Sequence, residues 1–234
     1  MNLNRLPWNE IEASLGQHGY ARLPPLLTAD QCAALVALYP RGELFRSRIE
    51  MARYRFGAGD YQYFQYPLPE VVQELRERTY PPLAAIANRW MEALGASEKN
   101  TRFPAGLDRF TAQCQAAGQD QATPLLLHYE AGGYNCLHQD LYGDVTFPLQ
   151  LVCFLGEPGL DYTGGDFLLV EQRPRAQSVG HAIHARRGEA VVFTTRYRPV
   201  KGARGFYRAN VKHGVSPLLS GVRYTLGIIY HEAR

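Results

Sequence analysis

The amino-acid sequence predicts an α+β chain, mainly β: an antiparallel sandwich or barrel braced by a helical N-terminal part. Three observations carry this. Near residue 120 the pattern changes from helical apolar spacing to short apolar or alternating runs. Six such runs follow, "PLLLHYE", "FPLQLVCFL", "DFLLVEQ", "EAVVFTT", "YRANVKHG" and "RYTLGIIYH", separated by Gly, Pro and Asp clusters. No helix long enough to make the crossovers of a parallel sheet lies among them.

Taken in order, "YARLPP" reads as a short strand at one sheet edge. "TADQCAALVALYP" opens with Thr28 and Gln31 at capping-box spacing and then sets Cys32, Leu35 and Leu38 at helical intervals. The stretch "FRSRIEMARYRFGAGDYQYFQYPLP" is irregular and interleaves Arg46, Arg48, Arg53 and Arg55 with Tyr54, Phe56, Tyr61, Tyr63, Phe64 and Tyr66. Pro69 can start a helix through "PEVVQELRERTY", the Pro81-Pro82 pair breaks it, and "LAAIANRWMEAL" continues helically. Residues 104–117 are expected to form a further helix.

The 234 residues suffice for a full hydrophobic core, and one domain over 1–234 is expected, with 1–119 as helical support and 120–234 as the β core. Apolar residues at 46% and charged residues at 20% exclude a disordered chain. The formal charge of +3 and pI near 8.7 fall short of the dense basic stripe of non-specific nucleic-acid binders. No apolar run approaches the length of a signal or membrane segment, so a cytoplasmic location without membrane contact is expected. Cys32, Cys114, Cys136 and Cys153 are widely spaced without a C-x-x-C, which points to buried reduced thiols.

In "YEAGGYNCLHQD", residues 129–140, a glycine-rich turn leads to His138 and Asp140. Residues i and i+2 of a strand face the same way, so the imidazole and carboxylate can hold one ion together. So short a spacing arises readily by chance, and His128 with Glu130, or His181 with His184, are rival pairs. "VKHGVSPLLSGVRYTLGI" reads as a hairpin whose register, centred near Leu218, sets His213 opposite Arg223 on a common face. A buried arginine needs an anion, and its planar fork suits a carboxylate.

The order His-x-Asp, a distal histidine, then an arginine ten residues on, with Tyr129 nine before the first ligand, resembles the Fe(II)- and 2-oxoglutarate-dependent dioxygenases. "YEAGGYNCLHQD" is similar to the corresponding region of prolyl 4-hydroxylase-type enzymes and of AlkB-type nucleic-acid demethylases. "TGGDFLLVEQRP" and "RRGEAVVF" fall where such enzymes have a Gly-Gly strand entry and the strand before the distal histidine. Over its whole length the chain resembles a bacterial oxygenase family linked to damaged nucleic acid.

The resemblance implies a double-stranded β-helix, or jelly roll, over 120–234. It implies Fe(II) on His138, Asp140 and His213, and 2-oxoglutarate held at its distal carboxylate by Arg223, with Tyr129 and then Thr225 as hydroxyl donors. Such an enzyme consumes O2 and 2-oxoglutarate, yields succinate and CO2, and hydroxylates or oxidatively demethylates a substrate C–H bond. Tyr134 and Asn135 serve the turn or line the substrate mouth. Arg55, Tyr63 and Arg208, the last in a basic cluster with Arg196, Arg198, Lys201 and Arg204, are the further substrate candidates. Peptide, nucleic-acid base and small metabolite all stay open as substrates. The alternative is a jelly-roll metal-binding module, isomerase or hydrolase that does without 2-oxoglutarate.

Overall fold

The computed structural model describes Leu3, residues 6–95 and residues 102–234. Helices α1 (Trp8–His18), α2 (Ala29–Ala37), α3 (Met51–Tyr54), α4 (Glu70–Ala93) and α5 (Leu107–Ala116) occupy the N-terminal half. Strands β1 (Tyr20–Leu23), β2 (Phe45–Glu50), β3 (Gly57–Ala58) and β4 (Asp60–Phe64) run between them. Then follow β5 (Leu125–Glu130), β6 (Tyr134–His138), β7 (Leu149–Phe154), β8 (Tyr162–Gly164) and β9 (Phe167–Gln172). The chain closes with β10 (Val179–Ile183), β11 (Ala190–Thr194), β12 (Tyr197–Gly202), β13 (Gly205–Val215) and β14 (Leu218–Ile228).

These strands form a jelly roll of two antiparallel sheets. The larger has the order β1-β11-β7-β14-β5-β4-β2, with β8 on β14, and the smaller β10-β9-β13-β6-β3, with β12 on β13. "YARLPP" does supply an edge strand, β1 on β11. The continuous apolar character of β7 and β11 follows from burial on both faces. Leu149, Leu151 and Cys153 pack with the helices, whereas Val152 and Phe154 meet Phe167, Leu169 and Val211 of the smaller sheet.

Two expectations are corrected. Helix α4 runs unbroken through Pro81 and Pro82. Interior prolines each cost on the order of 3 kcal/mol in a helix, and here Tyr80, Leu83, Ala84, Ile86 and Ala87 are all buried along that stretch, which offsets the loss. The segment 45–66 is not irregular: β2 and β4 pair and extend the larger sheet, while β3 joins the smaller one. The Thr28 cap is as expected, with Gln31 N–H donating to Thr28 Oγ1 at 3.2 Å and Thr28 N–H to Gln31 Oε1 at 3.0 Å. Of the cysteines, Cys32, Cys114 and Cys153 are buried but Cys136 is exposed. Among the described residues no helix is long and apolar enough to cross a membrane.

The helical layer is bolted to the C-terminal segment by a buried ion pair. Arg76 donates to Glu232 Oε1, to the Tyr230 carbonyl and to the Tyr66 hydroxyl, each at 2.7 Å. Beside it the wholly buried His231 accepts the Phe147 N–H at Nδ1 (3.2 Å), and burial pushes its imidazole down to about 4.

Glu232→Gln strands the Arg76 charge, so a loss of about 3–5 kcal/mol is expected as a lower urea midpoint; an unchanged midpoint refutes the bolt. His231 binds a proton more readily when unfolded, near the ordinary value of 6.5, than when folded. Its contribution is therefore full above about pH 6.5 and is lost as the pH falls toward about 4, amounting to about 3 kcal/mol. The midpoint should drop between these pH values by less in His231→Gln than in wild type.

Candidate active site

The chain passes between the sheets repeatedly, and two of these crossings, from β5 to β6 and from β13 to β14, flank the site. After β5 it leaves the larger sheet through Gly132 and Gly133 and enters the smaller one as β6. After β13 it returns through Ser216 and Pro217 to become β14. The crossings are tied together: Gly132 N–H donates to the Leu218 carbonyl at 2.7 Å, and Leu218 N–H to the Gly133 carbonyl at 2.8 Å. Gly132 has φ 85°, and a Cβ on Gly133 would sit 2.8 Å from the Glu130 carbonyl oxygen, so the turn requires glycine at both.

The expected hairpin is thus corrected. Strands β13 and β14 do not pair; His213 is in register with His138 and Leu169 of the smaller sheet, and Arg223 with Tyr129 of the larger. The imidazole and guanidinium still meet one cavity because the sheets face each other. Likewise β6 ends at His138, so Asp140 reaches the site from the loop that follows and not from a strand.

His138, Asp140 and His213 each offer a donor atom, all within 4.8 Å of one another. Asp140 Oδ2 lies 3.1 Å from His213 Nε2, and Oδ1 3.4 Å from His138 Nε2. Two donors about 2.1 Å from a metal and at right angles lie about 3.0 Å apart, so the set fits a metal ion. His138 Nδ1 bonds the Cys136 carbonyl at 2.7 Å, the tautomer that leaves Nε2 free to coordinate. Burial works against the Asp140 carboxylate, but the His213 and His138 imidazoles hold it well below the usual carboxylate range. Burial, then the neighbouring His138, keeps the His213 pKa below the usual histidine value. Asp140 is thus held as a carboxylate and His213 as a neutral imidazole, the forms that bind metal, whereas at His138 burial is outweighed by Asp140, which raises its pKa.

At the other end of the cavity Arg223 is only 1% exposed, yet none of its three guanidinium nitrogens meets a hydrogen-bond partner among the described residues. Its fork lies over the rings of Phe154, Tyr129 and Tyr162 at 5.4, 5.6 and 5.9 Å. A buried, unpaired cation enclosed by aromatic faces calls for an anion. Tyr129 is wholly buried, and burial pushes its hydroxyl up to about 12, so it stays protonated. Asn135 donates to the Tyr129 oxygen at 3.3 Å, which leaves the phenol proton free to point into the cavity. Gly165 makes room: a Cβ there would lie 2.5 Å from Leu218 Cδ1 and 3.1 Å from Arg223 Cδ.

The cavity between triad and guanidinium measures ≈ 380 Å³. Tyr129, Thr225, Asn135, Tyr63 and Arg55 all line it, as do the apolar Leu125, Leu127 and Ile229. Tyr134 is exposed at the start of β6 and Arg208 lies over the Tyr197 ring; neither reaches the cavity wall. The basic cluster is also thinned, since Arg198 is buried against Glu171 at 2.6 Å. Among the four arginines of 45–66, Arg46 bonds the Ala122 carbonyl and Gln121, Arg48 pairs with Asp60 and Arg53 with Glu50. Arg55 stands at the mouth in a left-handed conformation, φ 60°. Exposed Tyr54 and Phe56 stack there at 5.5 Å.

The rival pairs serve elsewhere. His128 bonds Asp60 at 2.9 Å and stacks on Tyr224, His184 pairs with Asp166, and His181 lies on β10, not on a helix. Sequence reasoning missed three residues. Gln139 donates to the Arg196 and Val211 carbonyls at 2.9 and 2.8 Å and so anchors the ligand loop to β13; Gln150 lines the cavity; Tyr142 donates to Asp140 at 2.7 Å. Only Tyr142 carried a signal, as the next member of the every-second-residue series 138, 140, 142.

Solved structures share the fold. A Pseudomonas putida prolyl-4-hydroxylase aligns over 97% of this chain and 99% of its own, with TM-score 0.54 and 20% identity. A 2OG-Fe(II) oxygenase family oxidoreductase from Burkholderia pseudomallei covers 100% and 95% at TM-score 0.53 and 15% identity. The non-heme alpha-ketoglutarate-dependent epimerase of nogalamycin biosynthesis covers 94% and 80% at TM-score 0.57 and 15% identity. Two Mycobacterium tuberculosis proteins, each described only as uncharacterized, are 49% identical over 170 residues, 73% of this chain and 72% of theirs. A family model described as "Oxygenase, catalysing oxidative methylation of damaged DNA" matches residues 59–233, a span holding the triad, Arg223 and Tyr129. The chain belongs to this Oxygenase-NA family.

Proposed function

We propose that this oxygenase uses Fe(II) and 2-oxoglutarate to oxidise an alkyl C–H bond on a damaged nucleic-acid base. The observation that carries the cofactor reading is the orphan Arg223 guanidinium across the cavity from the triad. A metal-binding module, isomerase or hydrolase without a keto diacid has no use for that charge there. His138, Asp140 and His213 hold the metal, Arg223 fixes the distal carboxylate and Tyr129 donates its hydroxyl to it, with Thr225 on the same strand face. Bound iron would let O2 react with the keto acid, which is converted to succinate and CO2 as it takes one oxygen atom, while the other oxidises the substrate C–H bond. The protein holds the geometry and, through Leu125, Leu127 and Ile229, keeps water from the reacting end.

For the substrate, the family description supports damaged DNA. Adding a methyl group needs a methyl donor, whereas oxidation of an alkyl group already on the base is the chemistry that the donor set fits. The Tyr54–Phe56 stack beside Arg55 supports the same reading, since aromatic faces stack bases while arginines hold phosphates.

Under anaerobic conditions wild type with Fe(II) and 2-oxoglutarate should develop a weak visible charge-transfer band, and Arg223→Ala should need roughly 10–100 times more keto acid to reach it. No band in wild type would favour the module. Succinate formation should rise several-fold with alkylated oligonucleotides but not with proline peptides; stimulation by the peptides alone would overturn the substrate reading.

A further inference from the structure

Asp140 must present one oxygen to a metal, yet it stands beyond the end of β6, where the ladder no longer fixes the backbone. A free carboxylate in such a place can rotate. It can also offer both oxygens, and the second would take up one of the positions that a two-histidine, one-carboxylate set leaves open.

A chain of phenols holds it instead. The Tyr142 hydroxyl donates to Asp140 Oδ1 at 2.7 Å, and the Tyr63 hydroxyl on β4 donates to the Tyr142 oxygen at 3.0 Å. The Tyr63 ring is fixed in turn: Tyr61 packs on it edge-on at 5.4 Å, and the Arg46 guanidinium lies over it at 4.5 Å. Arg46 is itself anchored to the Ala122 carbonyl and to Gln121 Oε1 at 2.8 and 2.7 Å. The relay thus runs from the edge of the larger sheet to the carboxylate.

We propose that Tyr142, backed by Tyr63, is a positioning residue that selects which oxygen of Asp140 binds the metal; this rests on the triad being the metal site. The phenol proton occupies Oδ1. That leaves Oδ2, which at 3.1 Å from His213 Nε2 stands nearer the spacing of two adjacent ligands than Oδ1 does at 3.4 Å from His138 Nε2. A donor that holds the non-coordinating oxygen also removes the freedom the ligand would otherwise lose on binding, so the metal is bound more tightly.

The test is a double-mutant cycle on metal affinity, measured by calorimetry with Co(II) alone, without keto acid or substrate. Phenylalanine keeps each ring and removes only the hydroxyl. Tyr142→Phe should weaken Co(II) binding by about 10–100-fold and shift the Co(II) visible spectrum. Tyr63→Phe should weaken it less, because its effect passes through Tyr142. The double variant should match Tyr142→Phe alone, since the outer hydroxyl has nothing left to support. A merely structural role for the two phenols would give independent, additive losses. Affinity within twofold of wild type in Tyr142→Phe, or additivity across the cycle, overturns the relay while leaving the triad standing. Wild type that takes up no Co(II), or Asp140→Ala that binds it as wild type does, overturns relay and triad together.

Discussion

The site depends on one constraint, the mutual fastening of the two sheet crossings that flank it, β5 to β6 and β13 to β14. Gly132 and Gly133 bond Leu218 in both directions, so the end of β5, the start of β6, the end of β13 and the start of β14 are held as a unit. Tyr129 is three residues before Gly132, Arg223 is five after Leu218, and His213 lies four before Leu218's neighbour Pro217. Distant parts of the sequence thereby acquire fixed positions relative to one another. No hairpin is needed, and none is present between β13 and β14.

Charge is arranged along the cavity in a way that suits a two-ended ligand. One end carries a carboxylate stabilised in its ionised form by two imidazoles; the other carries an uncompensated guanidinium behind aromatic rings. Left to themselves, both ends would be costly in a low-dielectric interior. In the proposed reading a metal ion answers the first and an anion the second, and a keto diacid joins the two. By contrast, the Arg76 charge is matched within the protein by Glu232, although Arg76 Nε and Glu232 Oε2 stay without a partner among the described residues, and Arg198 is likewise matched by Glu171.

Much of this was legible in the residues. The strand runs after residue 120, the Thr28 cap and the convergence of His138, Asp140, His213 and Arg223 were all readable, the last because few other reasons bring those side chains together. The route to convergence was not. Local pattern suggested a hairpin about Leu218, but which sheet a strand joins is decided by long-range pairing that no window of sequence contains. The same limit explains α4, where local propensity argued for a break at Pro81-Pro82 and burial of the flanking apolar face decided otherwise. It also explains the arginines of 45–66. Their spacing matched a basic patch, yet Asp60, Glu50, Gln121 and a carbonyl claim three of the four, and these partners come from the fold.

Gly165 shows how little material separates a fitting pocket from a blocked one. Its missing Cβ is what lets the Arg223 stem lie where it does, between Leu218 and the rings around it. With a positive φ of 66° the backbone there favours glycine, and a Cβ would press on the Leu218 and Arg223 side chains. The place of the guanidinium stem is therefore set in part by the main chain at Gly165. Arg55 and Phe56, which line the mouth, can vary without touching Gly165, so under the proposed reading variation in what the enzyme acts upon is decoupled from the length of the acid it consumes.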